Sequence, residues 1–415
     1  MTSTRITAVA CLTVLLAACG HSAPNRRAGA PPKAPQVVTL LSGSVRQIAL
    51  ASLSAQGLAD AQRSFGADLL RAVCKKEGTG NVTVSPASAA LALGQLDAGA
   101  RGDTRAKIDA LLHLPGWSDD VLAAYRSQRL QLAGLTQLQV SNHVYSAYGN
   151  PPEPATLDDL ATGFGSKLAQ LDFTKPAATD AINADVSKDT KGLIPTLFDQ
   201  PLDPTTVTVL TNALHLKADW ETPFDSTTDT PFTTDSGKSV TTHMMSAREL
   251  AASYRSVDGW ESAELPYAGN QLTAYAILPP KGSSCSDVSG STLTALTTGP
   301  SAEKTTLQMP TADLAQTHDL YDPMKALGLP MNGDVDYSGL GPRADGISTV
   351  VQKVVLKVDQ NGTEAAEATG IGVYLSSRRM GPRALVLDRT YLLLIQDTKT
   401  GAPLFLARVA DPNRS

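Results

Sequence analysis

One stretch near the C-terminus changes character abruptly, and this change limits what the chain can fold into. Between Val350 and Val358 every second residue is apolar, apart from Gln352, as in a strand with one buried face. From Thr363 to Thr369 only small or polar residues follow. Such a segment cannot bury enough apolar surface to fix its own conformation. The pattern therefore predicts a strand that leads into a long exposed loop. Loops longer than about 12–15 residues inside a compact domain are usually functional.

Composition and length favour one large mixed domain. The 415 residues would also accommodate two or three average domains, but a hydrophobic content of 42% runs evenly along the chain without an internal linker. A net charge of −5 gives no general attraction to nucleic acid. The sequence contains no apolar run that could span a bilayer. No histidine pair or cysteine group has metal-ligand spacing, so we expect no metal and no cofactor.

The N-terminus has the features of an export signal. Arg5 precedes an apolar stretch, and small residues lead to Cys19 in the sequence L-A-A-C-G. This resembles a bacterial lipobox, in which Cys19 would carry the lipid; a plain secretory signal is the alternative. Both place the protein outside the cytoplasm. We predict a signal at 1–18, a flexible Ala/Pro/Gly-rich tether at 19–45 and a folded domain at 46–415. Whether Cys74 and Cys285 pair is left open.

Several motifs carry a close resemblance to the serpins. They are the S-P-A-S run that begins at Ser85, the N-A-L-H-L-K-A-D-W run that begins at Asn212, the V-D-Q-N-G-T-E-A-A-E-A-T run that begins at Val358, and the segment from Asp388 to Pro412. The resemblance covers the chain from about residue 57 to Pro412. It implies an α+β fold, with helices around a large five-stranded central sheet, two further sheets and an exposed reactive loop.

The resemblance also implies a site where the central sheet opens. Ser85 followed by Pro86 fits a helix N-cap, which is also what the two residues predict without the resemblance. Gln352 stands where the family commonly has His, and we expect it to bond Asn183 and Ser85. Because Gln does not titrate near neutral pH, pH gating there is not expected. The residues assigned to the opening are Ser85, Ser88, Asn183, Asn212, Trp220 and Gln352.

The resemblance implies that the loop presents a cleavage site to a serine or cysteine protease. After cleavage its N-terminal arm would insert between the strands near Val207 and Val354, and the attached protease would be dragged away and its oxyanion site distorted. The protein would then be an inhibitor without enzyme activity, and we expect a monomer. The hinge of the arm comprises Gly362, Thr363, Glu364, Ala365, Ala366, Glu367, Ala368 and Thr369.

Insertion would turn every second loop residue inward, starting at Thr363. Glu367 would then be buried, where the family usually has a small residue, and an unpaired buried carboxylate costs several kcal/mol. Counting forward from Gly362 places the scissile bond at Ser376–Ser377, and counting back from the C-terminal side places it at Arg379–Met380. We favour the first bond. Arg378 and Arg379 suit either a trypsin-like protease or the solvation of an exposed loop.

Two rival functions follow from the same residues. A serpin that does not inhibit would act as a carrier, chaperone or surface-binding module, since function resides in the site and not in the fold. Ser301-x-x-Lys304 and the Lys399-Thr400-Gly401 triplet resemble fragments of penicillin-binding proteins. The S-D-N element of that class is missing between them, and the triplet falls in a predicted hairpin turn. We therefore reject the enzyme reading.

Overall fold

A computed structural model describes residues 38–48, 55–78, 80–250, 253–298, 305–363 and 384–414, with backbone alone at 248–250. Residues 38 onward belong to one compact unit. The described α-helices are α1 (Ala55–Glu77), α2 (Pro86–Gly99), α3 (Gly102–Leu111), α4 (Asp119–Ala133), α5 (Pro154–Asp159), α6 (Ala177–Asp189), α7 (Gly290–Thr298) and α8 (Tyr321–Ala326). None of them is long and apolar enough to cross a membrane.

The strands in the described part of the chain form four sheets. They are β1 (Val38–Leu41), β2 (Val82–Val84), β3 (Leu138–Ala147), β4 (Leu168–Leu171), β5 (Thr208–Leu216), β6 (Ala218–Asp219), β7 (Ser226–Thr233), β8 (Ser239–Leu250), β9 (Tyr254–Val257), β10 (Trp260–Pro266), β11 (Leu272–Leu278), β12 (Thr305–Pro310), β13 (Ala312–Asp313), β14 (Gln316–Asp319), β15 (Thr349–Val355), β16 (Lys357–Val358), β17 (Gly362–Thr363), β18 (Ala384–Val386), β19 (Tyr391–Asp397) and β20 (Pro403–Val409).

The central sheet has the strand order β1-β4-β3-β5-β15-β14. A second six-stranded sheet has the order β2-β20-β19-β11-β10-β9, and a four-stranded sheet has the order β18-β12-β8-β7. A short fourth sheet, β13-β16-β17-β6, continues β5 and β15 beyond their C-terminal ends. The predicted α+β fold is confirmed, but the structure has three sheets besides the central one instead of two.

The central sheet has six strands instead of the predicted five because the chain before the first helix contributes an edge strand. Val38 to Leu41 pair antiparallel with Leu171 to Leu168. Beyond this strand, Arg46 contacts Asp119 at 2.9 Å and Asp159 at 2.6 Å. The prediction of a tether up to residue 45 was therefore wrong for its last residues. Small and polar residues there suggested a linker, but unpaired groups on β4 offer the backbone a partner.

Helix α2 lies beneath the central sheet because most of its residues are small or apolar. All fourteen of its residues are buried, which is typical of a core helix. Its alanines allow the helix to pack against both β3 and β5. Helix α1 packs beside it, and the spacing of Leu58, Phe65, Leu69 and Val73 places them on one buried face, each at most 1% exposed.

A disulfide bond joins α1 to the loop before α7. Cys74 and Cys285 are linked with their Cα atoms 6.4 Å apart, across 211 residues of sequence. This settles the pairing that the sequence left open.

The Lys399–Gly401 triplet lies between β19 and β20, as expected for a hairpin turn.

Candidate functional site

The candidate site begins at a seam in the middle of the central sheet, between β5 and β15. The two strands run parallel and pair over seven positions, from Thr349 opposite Val209 to Val355 opposite His215. Strand β5 begins at Thr208, after a turn in which the Asp203 side chain accepts from the backbone and hydroxyl of Thr205. These are the strands between which the cleaved loop was expected to insert, and the structure places them side by side.

Four buried or half-buried neutral side chains meet beneath the seam, and we call them the seam cluster: Ser88, Asn142, Asn212 and Gln352. Ser88 donates its hydroxyl to Asn142 Oδ1 at 2.6 Å, and Asn212 Nδ2 donates to the same oxygen at 2.5 Å. Asn212 Nδ2 also contacts Ser88 Oγ. Gln352 Nε2 donates to Asn212 Oδ1 at 2.5 Å. The cluster therefore links α2, β3, β5 and β15 through uncharged groups.

Gln352 ties the seam to the start of α2. Its Oε1 accepts from Ser85 N at 2.9 Å, and its Nε2 donates to Ser85 O at 3.2 Å. The expected contact with Ser85 is thus present, but it is made with the backbone. Ser85 occupies the N-cap position without a side-chain cap bond, and its buried hydroxyl has no partner among the described residues.

Asn183 was wrongly predicted as the other partner of Gln352. Its Oδ1 accepts from Leu197 N at 2.9 Å and Phe198 N at 3.0 Å, and its Nδ2 donates to Phe198 O. Asn183 therefore shapes the segment that follows α6. The partner that Gln352 has instead is Asn212, directly opposite it in the sheet register. Sequence spacing alone did not distinguish the two asparagines.

Sequence reasoning also missed Asn142 and His318. Asn142 stands in the middle of a strand, and an amide there signals a buried polar partner. His318 is 2% exposed on β14, opposite Gln352. Its ring nitrogens lie 2.7 Å from Glu77 Oε1 and 3.0 Å from Thr83 O. Of these two residues, Asn142 belongs to the seam cluster and His318 braces the next strand.

The hinge of the predicted loop enters the fold at the end of the seam. Gly362 and Thr363 lie between β6 and β16 and run antiparallel to both, with Thr363 opposite Ala218 on one side and Val358 on the other. Thr363 is fully buried, and its hydroxyl lies 2.6 Å from Tyr267 Oη. A Cβ atom at residue 362 would stand 2.2 Å from Ala218 O, so only glycine fits.

Trp220 supports this hinge. It is 2% exposed, stacks on Tyr267 with ring centroids 4.4 Å apart, and donates its ring N–H to Asp359 O at 3.0 Å. Its backbone N–H donates to Asn361 O at 2.8 Å. The prediction that Trp220 belongs to the sheet-opening region stays a prediction about function, while its place beside the hinge is observed.

The remaining loop assignments lie outside the described residues. They are Glu364, Ala365, Ala366, Glu367, Ala368 and Thr369 of the hinge, the bond Ser376–Ser377, and the alternatives Arg378, Arg379 and Met380. Cys19 also lies outside them.

A second buried polar cluster lies at the far end of α2, and we call it the carboxylate cluster: Asp97, Asp109 and Arg105. Asp97 is fully buried, and its Oδ1 lies 3.9 Å from Arg105 Nε. Burial and the nearby Asp109 raise the pKa of Asp97 to about 8, in spite of Arg105. Burial also raises the pKa of Asp109. Asp97 is therefore largely protonated at neutral pH.

Comparisons with known proteins agree with this geometry. The model of the family described as serpin (serine protease inhibitor) matches residues 60–412. The plasma serine protease inhibitor of Bos taurus is 30% identical over 396 residues, which cover 91% of this chain and 97% of that protein. The chain therefore belongs to the serpin family.

Solved structures show the same fold. The native state of the thermophilic serpin tengpin superimposes with a TM-score of 0.78 at 22% identity, covering 89% of this chain and 97% of that one. Human thyroxine-binding globulin, solved in complex with its hormone, superimposes with a TM-score of 0.74 at 26% identity, covering 87% and 100%.

Proposed function

We propose that this chain inhibits serine proteases as a suicide substrate. The protease serine would attack the carbonyl of Ser376, the amide bond to Ser377 would break, and the new amine would leave with the serine proton. The released arm would then insert into the seam before water reaches the ester. A cysteine protease would form a thioester in the same way.

One observation carries the proposal. Gly362 and Thr363 already lie between the continuations of β5 and β15, antiparallel to both. A strand that extends them along the seam would keep the same direction and the same alternation of side chains. It would replace the single ladder between β5 and β15 by two ladders, which adds hydrogen bonds and buried side chains. The intact fold is thus prepared for one more strand.

The test is to incubate the full chain with trypsin-, chymotrypsin- and subtilisin-like proteases. We expect a covalent complex that survives boiling on a denaturing gel, and a cut chain that melts at a higher temperature than the intact one. Mass spectrometry of the released peptide identifies the bond. Cleavage with neither a complex nor a rise in melting temperature would refute the proposal.

A matched pair of variants separates insertion from folding, because both residues follow Thr363 in the predicted loop. By the parity that begins at Thr363, Ala365→Arg would bring a long cation to a buried position of the inserted strand, so we expect rapid cleavage without a stable complex. Ala366→Arg makes the same exchange with outward parity and should trap protease as the wild type does. If both variants trap equally well, the arm does not insert in this register.

A second candidate function is that of a carrier or surface-binding serpin. Glu367 favours it, because Thr363 faces inward and Glu367 has the same parity in an extended strand. A buried carboxylate would slow insertion and let the protease hydrolyse the ester. Thyroxine-binding globulin, which is structurally similar to this chain, is bound to its hormone in its crystal structure. Cleavage without trapping in the same gel assay would favour this function.

We also propose that the chain is exported as a monomer and lipid-anchored through Cys19 to the outer face of the cell membrane. The Cys74–Cys285 bond supports an oxidising location, since disulfides persist outside the cytoplasm. Cys19→Ser should move the protein from the membrane fraction to the medium, and light scattering of the chain released in this way should give the monomer mass. A mutant that stays with the membrane would contradict the lipid anchor.

A further inference from the structure

A cavity of about 400 Å³ opens beside the seam cluster. It is lined by α2, α4, β3 and residues 164–166, together with Asp189 at the end of α6. Ligand pockets usually measure roughly 300–1,000 Å³. The cavity is therefore large enough for a small organic molecule, and none of the hinge residues takes part in it.

Most of the wall is apolar. Leu91, Leu132, Leu138 and Phe164 are each at most 7% exposed and present aliphatic or aromatic carbon. Val140 adds a half-buried side chain from β3. An aliphatic chain or ring of a ligand would be removed from water when it packs on these side chains. Each Å² of apolar surface buried in this way contributes about 25 cal/mol to the free energy of binding.

The rim carries a cation without an acidic partner. In the described part of the chain Arg129 makes no ion pair, and its Nε donates only to Gly163 O at 3.4 Å. Burial and the neighbouring Arg126 lower the pKa of Arg129. Arg46, which lies against α4 and α5, instead contacts two carboxylates. A half-buried guanidinium without a counter-ion is a place where a bound anion removes an electrostatic cost.

The guanidinium of Arg129 packs closely on the backbone of Gly165. Gly165 has a φ of +61°, and a Cβ atom there would stand 2.8 Å from Arg129 Cζ. Any larger residue at 165 would displace the cation, so glycine at this position holds Arg129 at the wall of the cavity.

The carboxylate of the wall is bonded to two neighbours. His143 Nε2 lies 2.7 Å from Asp189 Oδ2, and Ser141 donates to the same oxygen at 2.9 Å. These contacts lower the pKa of Asp189 against the effect of its burial, so the carboxylate is held beside His143 and Ser141. Within the described residues, Arg129 is thus the cation of the wall that makes no ion pair.

From this arrangement we propose that the cavity binds a small apolar carboxylate, such as a medium-chain fatty acid, with its carboxylate on Arg129 and its chain against Leu91, Leu132 and Phe164. This is a ligand-binding function separate from protease inhibition. It does not depend on loop insertion, so it can be tested whether or not the chain traps a protease.

The test uses octanoate as the probe, at concentrations where it forms no micelles, with the full chain and isothermal titration calorimetry. We expect saturable one-site binding and a melting temperature that rises with ligand concentration. Octanamide has the same shape without the charge and should bind at least tenfold more weakly. Equal binding of acid and amide, or no saturable binding of octanoate, would overturn the proposal.

A matched pair of variants locates the anion. Arg129→Gln should weaken octanoate binding at least tenfold, whereas Arg126→Gln, three residues earlier on the same helix, should keep it within about twofold. Circular dichroism checks that both variants fold. Should Arg129→Gln fail to fold, the comparison of octanoate with octanamide on the wild type decides the question. Equal weakening by the two variants would mean that octanoate responds to surface charge and not to this cavity.

Discussion

The two ends of helix α2 are surrounded by different kinds of buried polar group. The seam cluster near its start contains only hydroxyls and amides, bonded to one another across four elements. The carboxylate cluster near its end contains Asp97, Asp109 and Arg105, and neither Asp97 oxygen has a hydrogen-bond partner among the described side chains and backbone. Both clusters are buried, but only the second changes its charge with pH.

This difference corresponds to what each region has to do. Neutral groups can exchange partners when β5 and β15 separate, without exposing a charge to an apolar interior. A carboxylate in the same place would resist every rearrangement. At the far end of α2, a raised pKa makes the packing depend on a proton. We expect the seam to be insensitive to pH, and the far end of α2 to be sensitive to it.

The largest effect should come from removing the centre of the seam cluster. Asn212→Leu leaves buried groups of Ser88, Asn142 and Gln352 without their partner, and we expect a loss of about 3–5 kcal/mol in the free energy of unfolding. Urea titration of the intact protein measures it. Asn332→Leu, at an exposed site, is the control and should stay within about 0.5 kcal/mol. A similar loss in both variants would show that the seam cluster contributes no more to the free energy of unfolding than an exposed site does.

The next effect concerns the carboxylate cluster. The pKa of Asp97 is raised to about 8 in the folded chain, above its unfolded value, so the folded state binds the proton more tightly. Stability contributed by this group is full below pH 4 and is lost as the pH rises toward 8. Asp97→Asn should therefore gain about 4 kcal/mol over the wild type at pH 7 and little at pH 4.

Thermal unfolding from pH 4 to 8 tests the Asp97 prediction. Asp103→Asn, on the exposed first turn of α3, should follow the wild-type curve. A difference between wild type and Asp97→Asn that does not grow with pH would show that Asp97 is not the titrating group.

The loop itself would bring a carboxylate to the neutral seam. Glu367→Ala removes it, and we expect insertion to become about tenfold faster, which corresponds to about 1.4 kcal/mol in the barrier. The readout is the number of inhibitor molecules consumed for each protease trapped, which should fall. Glu364→Ala, with outward parity, serves as the control. An unchanged or poorer yield for Glu367→Ala would contradict the buried position of that side chain.

The smallest effect should come from making the seam titratable. Gln352→His puts an imidazole at a fully buried site, and burial disfavours its charged form. Its folded pKa would lie below the unfolded value of about 6.5, so stability is lost as the pH falls below that value. We expect a loss of about 1 kcal/mol between pH 7.5 and 5.5 relative to wild type. If Gln352→His and the wild type show the same pH dependence of stability, a histidine at residue 352 does not make the seam sensitive to pH.

Several parts of this site were predictable because their chemistry is local in the sequence. The strand into Gly362, the small residues after it and the buried parity of Gln352 follow from period two and from composition. The close approach of Ala218 O explains why Gly362 is glycine. Ser85 followed by Pro86 predicted the start of a helix, and α2 begins at Pro86.

Other parts depended on contacts between distant segments. Asn183 and Asn212 are both plausible partners for Gln352 until the parallel register places Asn212 opposite it. The edge strand β1 forms on residues that resemble a linker, because β4 offers unpaired backbone groups. The burial of Asp97 and its raised pKa could not be predicted from the sequence, since an Asp near the end of a helix is usually solvated.

By itself, the sequence determined the family and predicted the loop and its hinge, because these rest on the order and size of neighbouring residues. Only the tertiary structure decided which amides meet at the seam, that Cys74 reaches Cys285, and that Arg129 faces a cavity without a counter-ion from the described residues. The reason is physical: local order limits which backbone conformations are possible. The free energy of a buried polar group or charge depends on the partners that the whole fold places beside it.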